Sequence, residues 1–345
     1  MSTQDISSRD SRGNWKPSEQ IAMVPPLRWP KEFFSFLKWL FGFPGYLWPF
    51  NVVFLVITFA TWRYLTPSVE TMSQLQLDWI VLVFLRNVGL IFVWFSLFHV
   101  PLYVRKSQGV RYKYTNRWVP KKNKAFLFNN QTLSNIFWCL ISGGGIWSAY
   151  EVITLWAYAN GLLPYLEYRS NPWAFALLML VIPLIRHVHF YFVHRLLHWK
   201  PLYKLAHYMH HKNVNIGPWS GLSMHPVEHI LYFTGALVHW IIPSHPLHVI
   251  FHLQHAGLSP APGHTGFDVL EVRKESAGLK HGSFYHYLHH RYFECNYAGD
   301  DGMLLDKLFG SLHDGTQEGH VKMRKRAQDR MRSRKGSLAL PEENI

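Results

Sequence analysis

The sequence has few cysteines and few acidic residues, and both shortages narrow the possible classes of protein. Cys139 and Cys295 are the only cysteines among 345 residues, which excludes a disulfide framework and gives no sign of an oxidising compartment. Asp and Glu number 21 against 35 Lys and Arg, so the net charge is +14. Such a charge is typical of nucleic-acid-binding proteins and of membrane proteins whose basic loops face anionic lipid. Long apolar runs favour the membrane class, and we expect no nucleic-acid partner.

Several redox and targeting modules are also missing from the sequence. It has no GxGxxG dinucleotide-binding motif, no CxxCH haem-attachment motif and no fused haem-binding domain, so any electrons must come from a separate carrier. The first thirty residues lack the apolar core and cleavage site of a secretory signal. We therefore expect the first apolar span to act as a signal anchor.

Four stretches are long and apolar enough to cross a bilayer, which takes about twenty residues. Aromatic residues make up 16% of the chain, as is typical of a protein with two membrane interfaces. The shorter stretch Phe33–Phe43 predicts an interfacial helix. Pro243 and Pro246 interrupt the apolar stretch His229–Leu253, which predicts a membrane-dipping helical hairpin or, alternatively, a fifth and sixth span. The four predicted spans are Leu47–Leu65, Trp79–Val100, Leu133–Ala157 and Trp173–Phe192.

Basic residues alternate along the chain in a way that predicts the sidedness of these spans. Six Lys and Arg precede the first span, Arg63 alone lies at its far end, eight occupy the next loop, and Arg169 alone follows the third span. Because Lys and Arg mark cytosolic loops, we expect both termini and most residues after the fourth span to be cytosolic. The membrane would be the endoplasmic reticulum in a eukaryote or the inner membrane in a bacterium.

The predicted fold is an all-α polytopic membrane protein with about four transmembrane helices, the dipping hairpin and a cytosolic, histidine-rich metal-binding cap. Arg86 and Asn87 lie within a span, and we expect them to face polar partners inside the bundle; direct contact with a substrate is the alternative. The sequence divides into an N-terminal cytosolic segment (1–46), three spans with a basic loop (47–172), a catalytic domain (173–315) and a basic, disordered tail (316–345).

Three histidine clusters point to metal chemistry. HRLLH begins at His194, HYMHH at His207 and HYLHH at His286. On a helix, residues at i, i+3 and i+4 share a face, whereas adjacent residues diverge by about 100°, so an HxxHH cluster can serve two metal ions. Imidazole ligands suit zinc, copper, iron and nickel, so the ligands alone do not identify the metal. The clustered histidines are His194, His198, His207, His210, His211, His286, His289 and His290.

These clusters, with Asn296-Tyr297 and Asp306-Lys307-Leu308-Phe309-Gly310, resemble the fatty acid hydroxylase/sterol desaturase superfamily over about residues 173–315. The resemblance implies two histidine-bound iron ions, with dioxygen as co-substrate, that hydroxylate or desaturate a lipid. It also implies that the eight clustered histidines are metal ligands. A separate donor such as cytochrome b5 or a ferredoxin would supply the electrons.

Other elements of the resemblance refine the predicted site. The segment HTGFD resembles an element of sterol C-4 methyl oxidases, which implies that His264 is a ninth ligand and makes Asp268 a candidate for supporting the site. His225-Pro226-Val227-Glu228 resembles an HPxE element, which makes His225 and Glu228 candidates for holding a ligand histidine. His281 and Ala298 depart from the sterol C-5 desaturase pattern. These features favour hydroxylation over desaturation.

Two other classes of membrane metalloprotein remain as alternatives. A metal transporter would place its ligands near the middle of the bilayer, usually within repeated halves, but the histidine clusters lie at and beyond predicted helix ends and no internal repeat is visible. A transmembrane haem protein needs single histidines paired across helices rather than HxxHH clusters. The sequence therefore favours a lipid-oxidising enzyme over a transporter or another metal-binding membrane protein.

Overall fold

Helices account for most of the fold, as the all-α prediction requires. The computed structural model describes residues 9–10, 13–17, 21, 32–271, 278–280, 283–299 and 303–338. One antiparallel pair of strands, β1 (Val269–Glu271) and β2 (Gly278–Lys280), interrupts the helices. The α-helices are α1 (Phe33–Phe41), α2 (Val52–Tyr64), α3 (Val69–Met72), α4 (Leu77–His99), α5 (Gln131–Phe137), α6 (Gly144–Ala159), α7 (Pro172–Leu197), α8 (Lys200–Leu202), α9 (Tyr208–His211), α10 (Pro226–Phe233), α11 (Pro246–Leu258), α12 (Pro260–Gly263), α13 (Phe284–Tyr292), α14 (Met303–Leu308) and α15 (Gln317–Leu338).

Shorter helical turns connect several of these elements. π-helical turns lead into α2, α6 and α9, and another extends α4 to Val104. The π-helical turns are Leu47–Asn51, Val100–Val104, Trp138–Gly143 and Tyr203–His207, and the 3-10 turns are Leu127–Asn129, Pro218–Ser220 and Thr234–Trp240.

Within the described residues, three continuous helical stretches are long and apolar enough to cross a membrane: Leu77–Val104, Gln131–Ala159 and Pro172–Leu197. They cover the second, third and fourth predicted spans. The first predicted span differs, because α2 has only 13 residues and follows a π-helical turn that contains Pro49 and Asn51. The structure therefore supports three candidate spans where the sequence predicts four.

The predicted hairpin consists of two helical arms, and the break between them lies at its prolines, Pro243 and Pro246. Helix α10 and a 3-10 turn form its first arm, and α11 begins at Pro246. Every residue of α11 is buried, because this helix packs against α2, α4, α6 and α7 at the centre of the bundle. Gln254 fixes α11 to α2 through hydrogen bonds with Thr58 (2.7 Å) and Thr61 (2.8 Å). A helix buried on all sides must satisfy its polar side chains within the protein, as Gln254 does.

Arg86 and Asn87 pair with polar groups inside the bundle. Arg86 forms an ion pair with Glu151 of α6, and Asn87 Nδ2 donates to the other Glu151 oxygen at 3.0 Å. Asn87 also contacts the Ser148 hydroxyl at 3.1 Å. The expectation of interior polar partners is therefore confirmed. The network links α4 to α6.

The structure of the basic C-terminal tail differs from the sequence prediction. The tail forms α15 over Gln317–Leu338, where the sequence predicts disorder; residues 339–345 lie outside the described residues. Its Arg, Lys, Met and Gln residues are good helix formers, which explains the helix despite the charge.

Lys113, one of the eight basic residues in the loop after the second predicted span, is fully buried and donates to the carbonyls of Thr115 (3.2 Å) and Arg117 (3.0 Å). It therefore does not contribute to the exposed basic surface.

Candidate metal centre

Helix α7 carries the first histidine cluster at the end of a membrane-length helix. His194 lies in its last turn and is buried, and His198 follows directly after Leu197. The four-residue spacing places both side chains on one face. A span that begins at Pro172 therefore delivers two imidazoles to the point where the helix ends.

The two HxxHH clusters lie on helical segments of different geometry. HYLHH lies within the regular helix α13. HYMHH begins in the π-helical turn that ends at His207 and continues through α9. Sequence spacing alone predicts a regular helix for both. The π-helical turn is a difference that only the structure reveals.

The folded chain gathers all nine predicted histidines into two groups. In each group, the candidate ligand atoms lie within 4.8 Å of one another. Each HxxHH cluster contributes to both groups, as the divergence of adjacent helical residues predicts. The first histidine group comprises His194, His198, His207, His211 and His289, and the second comprises His210, His264, His286 and His290.

Distances between the Nε2 atoms test whether these groups suit a metal ion. In the first group, His198 Nε2 lies 3.1 Å from His207 Nε2, 3.2 Å from His211 Nε2 and 3.3 Å from His289 Nε2. In the second group, His264 Nε2 lies 3.0 Å from His286 Nε2 and 3.1 Å from His290 Nε2. Metal–imidazole bonds of about 2.1 Å at right angles separate adjacent ligand atoms by about 3.0 Å. Both groups therefore fit a central ion.

Backbone carbonyls accept hydrogen bonds from Nδ1 of three histidines in the two groups. His194 Nδ1 donates to Tyr297 O at 2.7 Å, His289 Nδ1 to Cys295 O at 2.6 Å, and His264 Nδ1 to Pro260 O at 3.0 Å. A carbonyl can only accept, so Nδ1 carries the hydrogen and Nε2 presents its lone pair to the group. His194 Nε2 is buried without a hydrogen-bond partner from the protein, as expected of a metal ligand.

Glu228 is the one candidate supporting residue with a described hydrogen bond to a histidine of either group. Its Oε1 lies 2.8 Å from His207 Nδ1, and both side chains are buried. His225 instead caps α10 by accepting from Val227 N at 3.2 Å. Asp268 accepts from the Tyr114 hydroxyl at 3.5 Å. Geometry therefore assigns Glu228 to His207, whereas His225 and Asp268 make other contacts.

Burial sets the charge of the histidines in both groups. It lowers the pKa of His210 to about 4 and holds the pKa values of His207, His211, His286, His289 and His290 well below the ordinary range. Desolvation is the largest cause in each case, because burial penalises the charged imidazolium. These imidazoles are therefore neutral near pH 7, and the neutral form is the one that binds metals.

Asp306 has a role that the sequence does not predict. Its buried carboxylate accepts from Tyr297 N (3.0 Å), Ala298 N (2.9 Å) and the Tyr285 hydroxyl (2.7 Å). It thereby holds the loop whose Cys295 and Tyr297 carbonyls orient His289 and His194. Ala298 contributes to this contact through its backbone N–H, so its side chain does not alter the contact.

A cavity of about 440 Å³ adjoins the histidine groups. His194, His207, His210, His264 and His286 line one part of it. Elsewhere its wall is mostly apolar and aromatic, with contributions from α1, α2, the turn between them and α7. The larger apolar and aromatic lining residues include Trp39, Trp48, Phe50, Phe54, Phe190, Leu197 and Met224. A cavity of this composition suits an apolar ligand.

The cavity is also lined by polar residues outside the two histidine groups, including Asn51, Arg186 and His255. A charged residue within an apolar span indicates a functional position. This pattern applies to Arg186 and equally to Arg86. The sequence cannot distinguish the two arginines. In the fold, Arg86 faces a carboxylate, whereas Arg186 faces the cavity.

Comparisons with known proteins agree with the geometry of this region. Residues 179–311 match the fatty acid hydroxylase family. A Delta(7)-sterol-C5(6)-desaturase of Nicotiana tabacum is 31% identical over 137 residues, which cover 39% of this chain and 48% of the tobacco protein. A Delta(7)-sterol 5(6)-desaturase of Candida glabrata is 31% identical over 124 residues, covering 35% of this chain and 32% of the yeast protein.

The similarity covers part of the chain and not its whole length. It spans less than half the length of these curated relatives, and no solved structure matches the chain. The similar proteins are named as C5(6)-desaturases, although His281 and Ala298 depart from that pattern; His281 lies outside the described residues. The family match over residues 179–311 and the desaturase relatives together support a domain of the fatty acid hydroxylase/sterol desaturase type in this part of the chain.

Proposed function

We propose that this protein is a membrane-bound, dioxygen-dependent lipid oxidase that uses two histidine-bound iron ions. One observation carries the proposal: two groups of buried imidazoles with ligand spacing adjoin a mostly apolar cavity. The family match supports iron as the metal. A lipid can enter such a cavity from the bilayer and bring a C–H bond close to the histidines.

The nine histidines would be the metal ligands, five around one ion and four around the other. Iron with dioxygen supplies the power to oxidise an unactivated C–H bond, which side-chain acids and bases lack. Neutral rings keep their lone pairs available, and Glu228 with the loop carbonyls holds them in orientation. The apolar cavity wall excludes water from the bound lipid.

We propose hydroxylation as the reaction, with desaturation as the second candidate because the similar proteins are named as desaturases. Both outcomes begin with removal of one hydrogen from the lipid. Which one follows depends on the position of the next C–H bond relative to the metals, at a scale of about half an ångström.

Incubation under ¹⁸O₂ with a reductant and a lipid extract tests the proposal and separates the two reactions. We expect labelled oxygen in the lipid product, detected by mass spectrometry. A dehydrogenated product without label would establish desaturation instead. An absence of dioxygen uptake with every lipid fraction would refute the oxidase.

We also propose that a separate acidic carrier, such as cytochrome b5 or a ferredoxin, delivers the electrons. Six basic residues of the predicted cytosolic loop are exposed and would attract such a partner. Binding should weaken as ionic strength rises, because salt screens exposed charges. The six exposed residues are Arg105, Lys106, Arg117, Lys121, Lys122 and Lys124.

A further inference from the structure

One part of the cavity wall, away from the histidine groups, is polar. Arg186, His255 and Asn51 line it there. Arg186 precedes His194 by eight residues on the same helix, a separation of about 12 Å at a rise of about 1.5 Å per residue. Ionisable residues within membrane spans are costly and usually mark ligand sites. Arg186, His255 and Asn51 belong to neither histidine group, so the proposed metal sites do not account for them.

Arg186 is stabilised by aromatic rings and a hydroxyl instead of an acidic side chain. Its Nη2 donates to the Tyr232 hydroxyl at 2.6 Å, and its guanidinium lies 4.9 Å from the centre of the Phe190 ring. No ion pair found among the described residues includes Arg186, whereas Arg86 pairs with Glu151. The Arg186 Nε–H group is buried without a protein acceptor. This N–H group is therefore available to a ligand.

His255 offers the complementary acceptor. Asn51 Nδ2 donates to Tyr46 O at 2.8 Å, which identifies Asn51 Oδ1 as the atom that faces His255. His255 Nε2 must then donate to that oxygen, at 3.0 Å. A neutral imidazole carries only one hydrogen, so His255 Nδ1 has a lone pair. This Nδ1 is buried and has no partner in the protein.

We propose that Arg186 and His255 bind a hydroxyl group of the lipid substrate. A hydroxyl can accept from Arg186 Nε–H while it donates to His255 Nδ1. A carboxylate only accepts, so its oxygens would face the lone pair of His255. An ether lacks the hydrogen that His255 needs. The substrate class of the proposed oxidase is therefore an alcohol-bearing lipid; this assignment rests on the proposed function, whereas the binding site itself does not.

The position of this site determines which part of the lipid reaches the histidines. A hydroxyl held near Arg186 lies about 12 Å along the helix axis from His194, so the oxidised carbon is remote from the hydroxyl. In a sterol, the ring hydroxyl lies close to the carbons of a C5(6) double bond. A sterol anchored here would therefore present a different carbon from the one named for the similar desaturases.

Equilibrium binding of radiolabelled lipids to the purified protein in nanodiscs tests the site without turnover, when reductant and dioxygen are withheld. The probes are hexadecanol, its methyl ether, hexadecanoic acid and hexadecane, together with cholesterol and its methyl ether. The variants are Arg186→Met and His255→Leu. Arg63→Met is the matched control, because Arg63 lies on α2 outside the cavity lining. Metal content and hexadecane binding report whether each variant remains folded.

We expect at least one alcohol to bind about tenfold more tightly than its ether, as a buried hydrogen bond predicts. His255→Leu should remove that difference, Arg186→Met should weaken binding of both alcohol and ether, and Arg63→Met should change neither. The hydroxyl site would be overturned by equal binding of alcohol and ether, or by tighter binding of the acid. It would also be overturned if neither alcohol binds, or if Arg186→Met and His255→Leu leave binding unchanged. This binding pattern in a protein without oxidase activity would refute only the proposed function.

Discussion

At the scale of single residues, one ring nitrogen decides whether a histidine is available to a metal. His194, His264 and His289 use Nδ1 to donate to carbonyls, which leaves Nε2 facing its group. His239 also belongs to a pair of close imidazoles, with His252 Nδ1 at 3.1 Å, but this pair belongs to neither group. The proximity of two rings is therefore not enough, because each histidine group brings together at least four candidate ligands.

Substitution of a single candidate ligand should lower metal content while the protein still inserts into the membrane. We expect His207→Ala and His289→Ala to abolish lipid oxidation, because each removes an imidazole from the first histidine group. His320→Gln is the matched control, since His320 lies on α15 outside both groups. Mass spectrometry of metal per chain is the measurement, and unchanged stoichiometry in both alanine variants would refute the two-metal site.

The contact between Glu228 and His207 predicts graded effects of two substitutions. Glu228→Ala removes the acceptor at His207 Nδ1 and should weaken metal binding by about 10- to 100-fold, as is typical for residues that orient a ligand. Glu228→Gln keeps an oxygen acceptor and should retain much of the affinity. Competition with a chelator measures both. Equal loss in the two variants would indicate that the charge of Glu228, and not its hydrogen bond, supports the site.

At the scale of elements, the loop after α13 and helix α14 form one unit with the first histidine group. Asp306 of α14 accepts from Tyr297 N and Ala298 N, and this loop supplies the carbonyls for His194 and His289. Both histidines belong to the first group and neither to the second. Disturbing Asp306 should therefore affect one metal ion more than the other.

We expect Asp306→Asn to reduce metal content by about one ion per chain. The asparagine amide nitrogen would replace an acceptor oxygen, and an unsatisfied buried polar group costs about 1–3 kcal/mol. Asp314→Asn is the control, because the Asp314 carboxylate accepts from Thr316 in a partly buried turn away from both histidine groups. Loss of both ions together, or of neither, would contradict the assignment of Asp306 to the first group.

At the scale of the whole molecule, the histidine groups lie where a candidate span ends, and the cavity extends from them toward α1 and α2. A lipid that enters from the bilayer could then meet a soluble electron carrier at the same site. This arrangement requires the histidines to face the cytosol. The proposed mechanism therefore depends on the sidedness predicted from the basic loops.

Cysteine labelling tests this sidedness. Cysteines placed at Ser2 and Ser337 should resist an impermeant reagent in intact cells, whereas a cysteine at Ser170, in the exposed loop before α7, should react. Cys139 and Cys295 are buried, so background labelling should be low. Labelling of Ser2Cys or Ser337Cys from outside would overturn the predicted topology.

Much of the site and part of the fold could be predicted from local sequence. Three predicted spans coincide with long helices because hydrocarbon-length apolar runs act within a single element. Each HxxHH cluster contributes to both histidine groups, as its spacing predicts, because side-chain direction along a helix depends on local geometry. Helix α15 and the shortened α2 differ from prediction, since a strongly basic segment forms a helix and Pro49 interrupts an apolar run.

What the sequence by itself determined is the kind of ligand, the number of candidate ligands and the helices that carry them, because these follow from residue type and period. Only the tertiary structure decided how the nine histidines divide into groups of five and four. It also decided that Asp306 holds the carbonyls of the first group and that Arg186 faces the cavity while Arg86 faces Glu151. The physical reason is that each of these properties depends on contacts between residues distant in sequence, which no local pattern encodes.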